Sequence, residues 1–337
     1  MIARLFKPRW VRILLAALLA CTLLWIVWAE SQPEQERWLR IQAQERLSNW
    51  FPDAMQPAEG ELGLYPPVPA SSRSPVVVMV HGLDEPGGIF DELAAALDSA
   101  GYANTQFRYP NDQAIPHSAD LLAEHWSSIP EDLKVVLIGH SMGGLLIRSF
   151  VSRAMNELAK DHAEVTAALL IGTPNQGSDW ARLRVWLELR DRLGADEVDD
   201  FSLFAGLRDG TGAAKIDLRP GSQFLQNLNA RPWPENIKLA ILGGQIVAPA
   251  SSQRSGMAAL VEGTDDADWS ARFGQWLDQN TAQLGDGAVS VDSLSIPDGP
   301  TPEIVEASHR GLLVSGPFSD QTPPGIPWAL TKLAEIP

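Results

Sequence analysis

From Val11 to Ala29 the chain is apolar except for Arg12, Cys21 and Thr22, and Glu30 ends the run. The stretch from Ile13 is 17 residues. That is longer than a signal-peptide core and near the short limit of a spanning helix, about 17 residues. Arg4, Lys7, Arg9 and Arg12 precede or begin it, so the N-terminal flank is expected to stay in the cytoplasm. Residues 1–29 therefore read as a membrane-targeting helix. Two cleaved alternatives stay open: a signal peptide cut after Val27-Trp28-Ala29, and a lipoprotein cut before Cys21. Beyond it, residues 31–51 carry Trp38, Ile41, Leu47 and Trp50 among Glu, Gln and Arg, an amphipathic helix. This helix either packs on the body or begins a stalk. The segment from Pro52 to Pro75 is rich in proline and reads as a linker or an irregular wrap. Units at 1–29, 30–74 and 75–337 follow.

After Pro75 short apolar runs alternate with helical periods. Strands are expected at Val76–Val80, Thr105–Tyr109, Lys134–Ile138, Val165–Ile171, Ile237–Leu242 and Glu303–Ala307. Helices are expected at Phe90–Ser99, Ser118–Ser128 and Gly143–Leu158. Such alternation implies a mainly parallel sheet with helices on both faces. Ligands then bind at the carboxyl ends of the strands.

One strand end carries chemistry. Lys134–Ile138 leads into Gly139-His140-Ser141-Met142-Gly143 and at once into a helix. Gly-x-Ser-x-Gly between strand and helix makes a sharp turn that exposes Ser141 at the top of the sheet. The residues flanking the serine by two must be small because the turn crowds its neighbours. The chain here resembles the α/β-hydrolase superfamily, and within it bacterial serine lipases and esterases, over about residues 75–315.

The resemblance implies further assignments. His81-Gly82-Leu83 after the first strand resembles the lipase oxyanion loop. The backbone N–H groups of Leu83 and Met142 are then the expected oxyanion-hole donors. His309, after the last strand, is the expected base, following the chain order serine, acid, histidine. Asp286 in Gly285-Asp286-Gly287-Ala288-Val289 resembles the lipase acid motif; Asp292, Asp265, Asp266 and Asp268 are competitors. Gly172-Thr173-Pro174-Asn175-Gln176-Gly177-Ser178 resembles a lipase segment in which histidine usually stands where Asn175 is. It reads as a structural loop under the site. The amphipathic stretch 179–193, within an insertion at about 179–220, is expected to be a cap or lid, with core packing as the alternative reading.

Composition narrows the partners. The net charge is -16, with 42 acidic against 26 basic residues, which argues against nucleic acid. Cys21 is the one cysteine, which excludes a disulfide scaffold and a thiolate metal site. The expected activity is cleavage of carboxylic esters, on a small-molecule or lipid-like substrate, through Ser141, His309 and Asp286. No metal or organic cofactor is called for. Thioesterase, phospholipase or acyltransferase chemistry on the same triad, or a membrane-tethered binding protein without catalysis, are the alternatives. The expected location is the inner membrane with the body on the periplasmic side, or the periplasm itself after cleavage. Oligomeric state is not legible.

Overall fold

The computed structural model describes residues 9–55, 57, 60–83, 88–153, 162–178, 210–246, 285–316 and 321–336. In chain order its first elements are α1 (Arg9–Ser31), α2 (Pro33–Trp50), α3 (Pro52–Met55), β1 (Gly63–Tyr65) and β2 (Val76–Val80). Next come α4 (Asp91–Ser99), β3 (Asn104–Arg108), α5 (Ile115–Trp126), β4 (Lys134–His140), α6 (Met142–Arg153) and β5 (Glu164–Ile171). The rest are α7 (Ala213–Asp217), α8 (Gln223–Asn229), β6 (Lys238–Gln245), β7 (Glu303–Glu306) and α9 (Gly325–Ala334).

The strands form one seven-stranded sheet in the order β1-β3-β2-β4-β5-β6-β7. Every neighbouring pair is parallel except β1 with β3. In β2, Val76, Val78 and Val80 join one core cluster while Val77 and Met79 join the other. A strand buried on both faces must be apolar at every position, which is why it reads as an unbroken run. α5, α6 and α8 cover the first face and α4 and α9 the second. β7 closes the edge and exposes Glu303 and Glu306, charges that discourage pairing with another chain.

The expected strands and helices from Val76 onward are present, with ends shifted by a few residues; the last five residues of the expected helix Gly143–Leu158 lie outside the described residues. The proline-rich segment differs more. It is not a linker throughout, since Gly63–Tyr65 pairs antiparallel with Gln106–Arg108. Three residues are too short for periodicity to show.

α1 has 23 residues and is about 34 Å long at 1.5 Å per residue. Trp10, Ile13, Leu14, Leu23, Leu24 and Trp25 are exposed. Among the described residues no helix is long and apolar enough to cross a membrane; the side chains at 9, 12, 15, 18 and 19 lie outside that set. The expected spanning helix is thus not shown by the described residues. The chain continues into α2 with only a break at Gln32, because Pro33 disfavours helical geometry in the residue before it.

α2 packs on the body. Arg37 Nε donates to Oδ1 of the buried Asp217 at 2.5 Å, and Ile115 N donates to Asp217 Oδ2 at 2.9 Å. Buried Glu36 pairs with Arg40 at 2.7 Å and with Arg219 at 3.2 Å. Paired in this way, two carboxylates are removed from water without being left alone.

Candidate active site

The turn after β4 follows from its glycines. A Cβ on Gly143 would lie 2.0 Å from the carbonyl oxygen of Val80, so no side chain fits between α6 and β2. Ser141 takes the left-handed φ of +55°, which costs a non-glycine residue about 1–2 kcal/mol. Its side chain is partly exposed at the carboxyl edge of the sheet, beside the N-terminus of α6. The helix dipole there favours negative charge.

Asp286 reaches the same edge from far along the chain. Ile246 N, just past β6, donates to Gly285 O at 2.8 Å. A Cβ on Gly244 would meet Asp286 Cβ at 2.9 Å, so the acid lies against the end of β6. Asp286 is buried; its Oδ1 accepts from Ala288 N at 2.9 Å and Val289 N at 2.8 Å. Its Oδ2 stands 2.7 Å from His309 Nδ1. Two backbone donors hold one carboxylate oxygen and the imidazole takes the other, so the carboxylate has little rotational freedom.

His309 follows β7 and is fixed from three sides. Its N–H donates to Asp286 O at 2.8 Å, its Nδ1 meets the carboxylate, and its carbonyl accepts from His140 Nε2 at 3.1 Å. The rings of His140 and His309 lie 4.7 Å apart, which brings His309 beside the residue preceding Ser141. Among the described residues Ser141 Oγ and His309 Nε2 do not hydrogen-bond to each other. Such bonds commonly tighten only in the substrate complex. Asp292 is exposed in a short 3-10 turn. Asp265, Asp266 and Asp268 lie outside the described residues, as does the expected lid at 179–193.

The loop after β2, which carries the expected oxyanion donor Leu83, runs close against Ser141. A Cβ on Gly82 would lie 2.8 Å from Ser141 Cβ and 3.2 Å from its Oγ. Leu83 and Met142 are both buried, and among the described residues neither backbone N–H has an acceptor. Tyr109, at the end of β3, stacks on His81 at 4.5 Å, and its hydroxyl donates to His81 O at 2.6 Å. No sequence motif marks Tyr109; its role comes from the register of β3 beside β2. Replacing Gly82 with alanine is expected to push Leu83 away from Ser141 and to lower kcat about 100-fold, the usual cost of one oxyanion donor. Steady-state kinetics would check this.

Gly172–Ser178 is the expected structural loop. Asn175 is buried; its Nδ2 donates to Leu294 O at 2.6 Å and its Oδ1 accepts from Arg148 Nη1 at 3.1 Å. Ser178 Oγ donates to Ala288 O at 2.5 Å. The loop therefore clamps the segment that carries Asp286. Arg148 is a buried guanidinium bonded to the amide oxygens of Asn175 and Asn229, and burial pushes its pKa down to about 10. The available signal was an arginine within the apolar helix Leu145–Val151.

Burial holds the His140 pKa well below the usual imidazole value, with the charge of nearby His309 acting the same way. Burial likewise lowers the His81 pKa. His140 Nε2 carries the proton that it donates to the His309 carbonyl, since a carbonyl only accepts. Both histidines titrate near 6.5 when unfolded and lower when folded. As pH falls below about 6.5, the unfolded chain takes up protons that the folded one refuses, so stability declines. Thermal melts across pH 7 to 5 should show this loss, and His140→Gln should flatten it.

Among the described residues no group of three or more His, Cys, Asp or Glu could hold a metal ion. Residues 77–317 match the alpha/beta hydrolase family, and the chain belongs to it. The fold resembles the Bacillus licheniformis lipase BlEst2 in mature form, at 18% identity and a TM-score of 0.51, over 80% of this chain and 97% of that one. It also resembles the metagenomic carboxyl esterase MGS0156, at 18% identity and a TM-score of 0.50, over 80% and 77% of the two chains. At such identity the likeness is one of fold. No curated protein sequence matches the chain.

Proposed function

We propose that this hydrolase cleaves carboxylic esters through Ser141, His309 and Asp286. The observation that carries the reading is the 2.7 Å contact of His309 Nδ1 with a buried, doubly bonded Asp286, next to a serine on a strained turn. Ser141 Oγ attacks the ester carbonyl while His309 Nε2 takes its proton. The oxyanion that forms is held by the N–H groups of Leu83 and Met142. His309 then protonates the departing alcohol, leaving an acyl-Ser141. Water, deprotonated by His309, attacks that ester; collapse releases the acid and returns the proton to Ser141. Asp286 keeps the His309 proton on Nδ1 and balances the imidazolium in between.

We further place α1 in the membrane, with the catalytic body on the periplasmic side. The exposed apolar side chains of α1 and the four cations ahead of its apolar core support this.

The test is fluorophosphonate labelling of the full chain, together with a p-nitrophenyl ester series from short to long acyl groups. Labelling at Ser141 with ester turnover is expected. Labelling without ester turnover would redirect the site to thioester, amide or acyl-transfer chemistry. Absence of both would overturn the catalytic reading.

A further inference from the structure

α2 has two unlike faces. Glu36, Arg37, Arg40, Ile41, Gln44 and Leu47 turn toward the body and are buried or half-buried. On the opposite side, within about a third of the helix circumference, lie Trp38, Leu39, Arg46 and Trp50, with Gln35, Gln42 and Asn49 between them. Trp38 is 59% exposed, Trp50 68% and Leu39 40%. Of the four apolar residues in its sequence pattern, Ile41 and Leu47 are half-buried, whereas Trp38 and Trp50 are exposed. Two tryptophans held in water are unfavourable, because each leaves a large apolar ring unburied.

Charge singles out the same face. In a chain of net charge -16 it carries Arg46 and no carboxylate. The acids of α2 lie elsewhere, with Glu36 buried and Glu34 and Glu45 at the flanks. An apolar and cationic stripe free of acids fits a phospholipid surface, where indole rings sit at headgroup level and guanidinium groups meet phosphates. It does not fit a second copy of this acidic chain as well, since one arginine per helix offers little to so many carboxylates.

We infer that the outer face of α2 lies in the interface of the bilayer that holds α1. The inference rests on the membrane placement of α1 but not on the ester chemistry. It has a consequence for the active site. Thr211 Oγ1 donates to Arg40 O at 2.5 Å, and Gly212 N donates to Asp112 O at 3.2 Å. Asp217 binds Arg37 and the first N–H of α5. Asp112 and Ile115 both follow β3, so α2 crosses the body at the carboxyl edge of the sheet. That edge carries Ser141. An α2 seated in the headgroups therefore sets the catalytic edge next to lipid, within reach of substrates that never leave the membrane.

The test uses the full chain in phospholipid vesicles containing phosphatidylglycerol. A polarity-sensitive fluorophore is attached to native Cys21, or to Trp38→Cys or Trp50→Cys in a Cys21→Ser background. Asp98→Cys on exposed α4 in the same background is the control. The readout is quenching by nitroxide-bearing lipids against quenching by aqueous iodide. Labels at 38 and 50 are expected to be quenched by lipid several-fold more than the label at 98, and to be shielded from iodide. If Cys21 is lipid-quenched while 38 and 50 behave like 98, α1 is in the bilayer and the inference about α2 is wrong. If 38 and 50 are quenched while Cys21 is not, the interfacial helix stands and the placement of α1 fails. Thermal melts of each variant establish that it is folded, and fluorophosphonate labelling reports the catalytic reading separately.

Discussion

Ser141→Ala is expected to lower ester turnover on the order of 10⁶-fold, the scale on which loss of a triad nucleophile acts. It should leave the body folded, because the side chain is partly exposed and its Oγ holds no other group in place among the described residues. Ser141→Gly should be equally inactive and yet more stable than the parent. The reason is the φ of +55°, which glycine adopts without the steric penalty of about 1–2 kcal/mol that any Cβ brings there. Against this stands the greater freedom of glycine in the unfolded chain, about 0.5–1 kcal/mol. The net gain is about 0.5–1 kcal/mol, or on the order of 2 °C in Tm for a domain of this size. Opposite signs in activity and stability at one position are the mark of a nucleophile held under strain. A serine that merely occupied a glycine-rich turn would show the stability gain without the loss of turnover. Kinetics and melting of the two variants would separate these cases.

The legible and illegible parts of this molecule divide on physical lines. β2 and the middles of β4 and β5 are buried on both faces, so Val135–Ile138 and Ala167–Ile171, like Val76–Val80, had to be apolar and the runs stood out. Gly139 and Gly143 were legible because crowding at the turn leaves no room for a Cβ at either, and Ser141 stood out as the residue they flank. His309 and Asp286 rest on chain order and a short motif, and the sheet brings them together only because residues 285–289 return to the end of β6. Nothing local announces that return. Tyr109 and Asp217 were not legible for the same reason, since each acts through a partner distant in sequence. β1 was hidden by its length. The pattern of α2 placed Trp38, Ile41, Leu47 and Trp50 together as one apolar set. The structure splits that set in two, because Glu36 and Arg37 orient the helix by pairing with Arg219 and Asp217. Amphipathic period alone could not tell which apolar residues meet the body and which are left for another surface.

Asp286→Asn tests the dyad more sharply than deletion of either partner. The amide is nearly the shape of the carboxylate, so the backbone donors of Ala288 and Val289 keep hold of its oxygen, at the 2.9 and 2.8 Å positions that Oδ1 occupies. That choice turns the NH₂ group toward His309 Nδ1. Nδ1 must then accept, which moves the imidazole proton to Nε2, the atom that has to take the proton of Ser141. The ring stays in place while its base is in the wrong tautomer. Turnover is expected to fall about 10⁴-fold, with little change in Tm or in KM. Asp292→Asn should leave turnover near that of the parent, since Asp292 is exposed and apart from His309. A large loss at Asp292 with a small one at Asp286 would show that the 2.7 Å contact is structural and that the working acid lies elsewhere.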